Sequence, residues 1–453
     1  MAIQILLIIY IFLTFLMLLS GYPVGFILAG MALLFSAIAA TIGLFDPTFL
    51  MAIPNRIFGI MTNQNLLAVP LFIFMGLILE KTKIAENLLI TMNSLYSNSS
   101  GGYAVSVVIV GALMGASTGI VGASVVTLGL LSLPIMLKKS YPPELTCGVI
   151  CASGTLGQII PPSLVLILLA DVLSSAHQQA QLNMGIFSPE TITIAELFAG
   201  AIIPGLMLPL LYIFYIKYFY ADLSFEIDKN HTFNIVEVIK GIAPPLFLII
   251  FVLGSIIAGI ATPSEAASLG ILGSLLISLK TKNINRSIIL KCSRETTKLT
   301  SMIFMILIGA TFFSLVFRGL EGEVFIQSLF YSESSEGFKT LIAVLILMFF
   351  LGFILDFIEI IFIVIPIFGP VLFTLGFDPI WIGILIAMVL QTSFLTPPFG
   401  FSIFYLRGVV PKEIETEKIY KGVIPFVLIQ IILVLLMLLF PEIATFIPSL
   451  LLN

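Results

Sequence analysis

Apolar residues run in long blocks along the whole chain, with polar residues gathered in short intervals between them. The blocks fall at 3–20, 23–45, 65–80, 103–136, 143–173, 196–218, 241–260, 264–279, 299–318, 340–373, 380–406 and 422–440. Runs of about 20 apolar residues are what a helix needs to cross the hydrocarbon core of a bilayer, so the pattern predicts an all-α membrane protein. Four blocks are interrupted at their centres. Block 103–136 carries Gly115-Ala-Ser-Thr-Gly-Ile-Val-Gly-Ala-Ser124, and block 340–373 carries Gly352-Phe-Ile-Leu-Asp356-Phe-Ile-Glu359. Each reads as two half-helices meeting at a tip inside the membrane. Blocks 143–173 and 380–406 carry Pro161-Pro162 and Pro397-Pro398. Tandem prolines remove two successive backbone donors and break the helix there.

These interruptions recur at a fixed spacing. Pro134, Pro143, Pro161 and Pro162 reappear 236 positions later as Pro370, Pro379, Pro397 and Pro398. Gly21-Tyr22-Pro23 matches Ala261-Thr262-Pro263 at an offset of 240. Chance aligns one or two of 24 prolines, not four without a gap, so the chain reads as a duplication. Residues 1–218 form one repeat, 219–240 a cytoplasmic linker and 241–453 the second repeat.

Charge orients the halves, because Lys and Arg collect on the cytoplasmic side. The stretch 280–298 holds Lys280, Lys282, Arg286, Lys291, Arg294 and Lys298 and reads as a cytoplasmic loop. Lys81 and Lys83, Lys138 and Lys139, Lys217 with Lys240, and the stretch 407–421 mark the other cytoplasmic segments. The acidic stretch 321–336 and the interval 172–195 then fall outside. With the hairpins counted as non-crossing, the assignments close with about ten crossings and both termini outside. Lys138-Lys139 has the uncharged pair Thr374-Leu375 as its counterpart, so the halves are inverted, as in many secondary transporters.

Composition sharpens this and excludes other classes. Of 453 residues, 59% are hydrophobic and 10% charged, where a soluble domain carries roughly 25% charged residues. The mean hydropathy is +1.19. The net charge of −4, with no basic patch interleaved with aromatics, gives no sign of nucleic acid. The two histidines, His177 and His231, lie in predicted loops and form no H-E-x-x-H zinc site, and there is no G-x-x-x-x-G-K-[ST] loop for ATP. An intramembrane aspartyl protease needs two aspartates at depth. Asp356 stands alone there, with Asp171 near a predicted outer end. Cys147 and Cys151 read as small apolar fillers. Residues 1–20 lack a positive n-region and an A-x-A-like site, so they read as the first spanning helix. The chain is a transporter rather than an enzyme, and broken helices favour alternating access over a channel.

Broken helices place half-helix ends at mid-membrane. N-termini offer N–H donors and partial positive charge to an anion, while unwound carbonyls and C-termini offer oxygen ligands to Na⁺. Gly154-Thr-Leu-Gly157-Gln-Ile-Ile160-Pro161-Pro162-Ser163 and Gln391-Thr392-Ser393-Phe-Leu-Thr396-Pro397-Pro398 supply such parts, although two proline-kinked helices without a ligand fit the same residues. Asp356 could hold Na⁺, carry a proton, or be a carboxyl hydrogen-bonded within the bundle, and Glu359 is similar. Glu265 follows Thr262-Pro263-Ser264 at a helix start and reads as a cap. Arg56 and Arg318 sit at segment ends, where they either snorkel to the interface or meet an anionic substrate.

The hairpin 115–127, the run Gly154–Ser163, Ala261-Thr-Pro-Ser-Glu265 and Thr396-Pro-Pro-Phe-Gly400 together resemble the large membrane subunit (DctM-type) of tripartite ATP-independent periplasmic (TRAP) transporters, across essentially the whole chain. Cys151-Ala-Ser-Gly-Thr-Leu-Gly-Gln is similar to the branch labelled for 2-oxo acids, mannitol or chloroaromatic compounds. The resemblance implies a multi-pass protein of the bacterial inner membrane. It implies two partners, a small four-helix membrane subunit and a periplasmic substrate-binding protein. It also implies import of an organic anion, often a carboxylate, driven by Na⁺ and not by ATP, with hairpins and broken helices moving as an elevator. Ser117-Thr118-Gly119 departs from the Ser-Gly-Ser-rich tip common in that family. Carried over by motif, the first Na⁺ site comprises Thr118, Ile120, Gly157, Ile160 and Pro162. The 236-residue repeat then places a second at Ile354, Asp356, Ser393, Thr396 and Pro398, with Ser124, Ser163 and Thr392 as substrate contacts. A self-sufficient Na⁺/anion symporter without a binding protein is the alternative.

Overall fold

The structure is a computed structural model that describes residues 2–82, 84–96, 101–221, 235–280, 284–330 and 337–451. Every regular element among them is helical, as the hydropathic pattern predicts. The chain opens with α1 (Ala2–Leu18), α2 (Val24–Thr41), the short α3 (Ile53–Thr62), α4 (Ala68–Lys81) and α5 (Ile84–Tyr96). Hairpin one is α6 (Gly102–Thr118) with α7 (Val121–Lys138), and the first broken helix is α8 (Pro143–Thr155) with α9 (Leu164–Asn183). Next come α10 (Ile194–Phe219), α11 (Ile235–Ile257), α12 (Pro263–Lys280), α13 (Arg286–Gly319) and α14 (Gly322–Phe330). Hairpin two is α15 (Gly337–Leu351) with α16 (Phe357–Thr374), the second broken helix is α17 (Pro379–Leu395) with α18 (Phe401–Arg407), and α19 (Thr416–Leu439) and α20 (Glu442–Leu451) close the chain.

All four interruptions are present. Pro134 and Pro370 sit inside the second arms of their hairpins, and Pro143 and Pro379 each open a broken helix. Two stretches differ from expectation, 286–298 and the end of the expected linker, 235–240, which already belongs to α11. Residues 286–298 are not a loop but the first turns of α13, because Asn285 caps them: its Oδ1 accepts from the Ile288 N–H at 2.9 Å. Pro244-Pro245 stays inside a continuous α11. The helix carries on through both prolines, whose fixed φ is itself helical, at the cost of the two hydrogen bonds their missing N–H groups would have made. Most of the expected linker, 222–234, lies outside the described residues.

Contacts group the chain into two units that cut across the repeats. The first takes Met1–Leu67, Leu168–Thr193 and Thr297–Pro379; the second takes Ala68–Ile167, Ile194–Thr296 and Ile380–Asn453. In the first, Tyr10 of α1 is fully buried, stacks on Phe313 of α13 at 5.0 Å and donates its hydroxyl to the Phe313 carbonyl at 3.3 Å. Gly25 of α2 and Gly309 of α13 let those backbones cross with no side chain between them. In the second, hairpin one packs on α8, α8 packs on α19, and α4 packs on α12. Tyr212 of α10 is buried there and accepts the Gln430 amide at 2.7 Å.

Six described helices, α2, α7, α10, α13, α16 and α19, are long and apolar enough to cross a membrane. Phe26, Phe214 and Leu435 on three of them remain exposed. In water such residues would mark sticky patches; on a membrane protein they are the surface that meets lipid.

Candidate transport site

Hairpin one turns on two residues. The first arm ends at Thr118; Gly119 is left-handed (φ 61°), a region glycine enters without penalty, and its N–H bonds the Gly115 carbonyl at 3.0 Å. Ile120 is extended and opens α7 with no side-chain cap. In the first broken helix, α8 tightens into a single 3-10 turn at Leu156–Gln158, and the chain is irregular until α9. Pro161 has no N–H, so the Gly157 carbonyl four residues earlier loses its helical donor. Pro162 does the same to Gln158, whose carbonyl accepts the Ser163 hydroxyl at 2.8 Å instead.

Tip and break touch. A Cβ on Gly115 would stand 2.5 Å from the Gly157 nitrogen, and one on Gly157 would stand 2.8 Å from the Gly115 Cα, so only two glycines allow this approach. Gly119 lies against Leu164, just past the break, where a Cβ would stand 3.0 Å from the Leu164 nitrogen. Thr118, Ile120, Gly157, Ile160 and Pro162 all belong to this tip and this break, within the second unit. Ser124 is buried in the first turn of α7, and Ser163 is buried at the end of the break.

The second break, residues 396–400, lies in the same unit, and α18 beyond it packs its Tyr405 ring against Gly122 of α7. Three hydroxyls, two before the break and one at its first residue, point back into their own chain. Thr392 donates to Met388 O at 2.7 Å, Ser393 to Leu390 O at 2.8 Å and Thr396 to Thr392 O at 2.7 Å. Their hydrogens are engaged, and among the described residues their lone pairs accept no hydrogen bond. Such oxygens suit a cation better than an anion, which needs donors.

Ile354 and Asp356 belong to the first unit, whereas Ser393, Thr396 and Pro398 belong to the second. Asp356 is half-buried and is the N-cap of α16. Its Oδ1 accepts from the Phe357 N–H at 2.7 Å, and the Asp356 N–H donates to Glu359 Oε2 at 3.1 Å, a reciprocal capping box. Both carboxylates that looked chemical in the sequence thus have a local structural use. Glu265 caps α12 with Thr262, as its spacing predicts.

Sequence reasoning passed over two further features. Gln158 and Gln391 are fully buried, and neither amide has a hydrogen-bond partner among the described residues. The only signal was a glutamine where the surrounding block is apolar. Arg56, Asn63, Asp171 and Arg318 also line one cavity of about 400 Å³ within the first unit. They come from three distant blocks, and nothing in their spacing unites them.

Residues 11–443 match the family described as "Tripartite ATP-independent periplasmic transporter, DctM component". The C4-dicarboxylate TRAP transporter large permease protein DctM of Pseudomonas aeruginosa is 26% identical over 91% of this chain and 92% of its own. The ectoine TRAP transporter large permease protein TeaC of Halomonas elongata is 26% identical over 85% and 86%. The sialic acid TRAP transporter large permease protein SiaM of Vibrio cholerae is 24% identical over 96% and 97%. Among solved structures, the YdaH transporter of Alcanivorax borkumensis superposes with a TM-score of 0.60 at 13% identity, covering 85% of this chain and 86% of that one, a likeness of fold alone.

Proposed function

Because this chain belongs to the tripartite ATP-independent periplasmic transporters as a DctM component, a multi-pass protein of the inner membrane, we propose that it is the permease of an importer for an organic acid, a carboxylate such as a 2-oxo acid, driven by Na⁺ symport. Large permeases of this family work with a small membrane subunit and a periplasmic substrate-binding protein. The proposed partners of this chain are a small four-helix membrane subunit and a binding protein that delivers the acid at the outer face. Uptake then proceeds by an elevator movement that carries hairpins and broken helices together.

The observation that carries this reading is the contact of the Gly115 tip with the Gly157 break. It sets a carbonyl without its helical donor beside the uncapped start of α7, oxygen for a cation next to N–H groups for a carboxylate. Na⁺ binding at the tip would fix the hairpin in the geometry that accepts the acid, so ion and acid enter together. The test is co-reconstitution in liposomes with the small subunit and the cognate binding protein, following radiolabelled acids under imposed gradients. Uptake should need all three proteins and an inward Na⁺ gradient. Uptake by the purified chain alone would identify a self-sufficient symporter instead. Uptake indifferent to Na⁺ would remove the coupling ion.

A further inference from the structure

The cavity of about 400 Å³ in the first unit is walled by α3, α9, α13 and α16, and its volume falls in the range of small-molecule sites, roughly 300–1,000 Å³. Two guanidinium groups line it, Arg56 from α3 and Arg318 from the last turn of α13. Arg318 donates its Nε–H to Glu323 at 2.9 Å, and its Nη groups make no hydrogen bond among the described residues. Arg56 makes neither a hydrogen bond nor an ion pair among those residues. Burial, and after it the like charge of Arg318, hold the Arg56 guanidinium below its ordinary range, with Glu323 opposing. Asp171 also lines the cavity and accepts the Asn63 amide at 2.7 Å. Asp171 in the lining and Glu323 paired with Arg318 offset part of the positive charge, which leaves Arg56 as the guanidinium without an ion pair among the described residues.

A snorkelling arginine reaches the interface singly and is satisfied by water or headgroups. Two arginines aimed into one cavity, beside an apolar wall that includes Phe362 and Pro366, are a different arrangement. Their planar forks match a carboxylate, and an anion between them relieves their repulsion. The flanking intervals 172–195 and 321–336 place the cavity on the outer side by the charge rule.

We infer that this cavity binds a small organic monocarboxylate at the outer face, with Arg56 and Arg318 gripping the carboxylate and Asp171 disfavouring a second one. The inference rests on the proposed function, in which it supplies the place where the arriving acid is first held.

The experiment uses the chain with its small subunit in phosphatidylcholine nanodiscs. Phenylglyoxal modification of Arg56 and Arg318 is followed by peptide mass spectrometry, with lactate, pyruvate, succinate and the neutral lactamide as protectants. Lactate or pyruvate should protect both arginines, succinate should do so less well, and lactamide should not protect. Arg56→Gln should weaken the protection of Arg318 by about tenfold, the loss of one charge-assisted grip. Arginines left unprotected by both monocarboxylates, equal protection by lactamide, or better protection by succinate each overturn the inference. Protection that appears only in phosphatidylglycerol nanodiscs, with no effect of added acid, assigns the site to a lipid headgroup and also overturns it. Failure here is separable from failure of the proposed function. Acid uptake with unprotected arginines removes the site alone, whereas protection without uptake of any acid removes the importer and leaves the site.

Discussion

Hairpin one turns in two residues, 119–120, and hairpin two in five, 352–356. Ile120 and Asp356, separated by the repeat offset of 236, are nonetheless the same structural position, the N-cap of the second arm. At the first tip the N-cap residue, Ile120, has no side-chain group to cap the N–H groups that open α7. At the second a carboxylate does so, and a second carboxylate closes the box behind it. Across the offset of 236 the backbone break is kept and its chemistry changes. One tip leaves donors and carbonyls for others to use, and the other brings its own negative charge.

The strongest way to break this contrast is to disturb the tip that depends on bare backbone. Gly157→Val drives a side chain into Gly115, and overpacking of this kind costs about 1–3 kcal/mol. Na⁺-dependent uptake should fall to background while the protein still inserts, and the unfolding midpoint should drop. Normal uptake would show that tip and break need not touch. A smaller effect separates the two roles open to Asp356. Asparagine caps nearly as well as aspartate, whereas alanine costs about 1 kcal/mol. Asp356→Asn should therefore preserve thermal stability but weaken the Na⁺ dependence of uptake, and Asp356→Ala should lose both. If Asn behaves as wild type in both measurements, the carboxylate is a cap and nothing more. The mildest test gives the first tip what the second has. Ile120→Asp should stabilise the start of α7 by about 0.5–1 kcal/mol, read as a higher unfolding midpoint, and slow acid uptake by placing a negative charge at the tip. A lower midpoint would mean that the two N-cap positions are not equivalent.

Much of this was legible because the interruptions are written in residues with a single backbone meaning. Pro-Pro at 161–162 and 397–398, and glycine at 115, 119 and 352, mark the breaks, and the regular offset of the prolines is what reads as a duplication. The same logic fails at Pro244-Pro245, where identical residues sit in an unbroken helix. What separates the cases is what precedes them: Gly157 and a 3-10 turn before one break, and a helix already running from Ile235 before Pro244-Pro245. The extent of α13 was hidden by its charges, which suggested a loop and said nothing of the Asn285 cap. The arginine cavity was illegible for a deeper reason. Its residues are brought together by packing among α3, α9 and α13, and pairwise spacing along the chain carries no trace of that.

The bare contact between Gly115 and Gly157 has a kinetic consequence. Most gates interlock through side chains that must change rotamer before the parts can separate. At Gly115 and Gly157 neither backbone carries a Cβ, so this contact can part without any such rearrangement. The barrier to opening is then set by whatever bridges the two backbones. A bound ion can act as the latch, and its departure as the release.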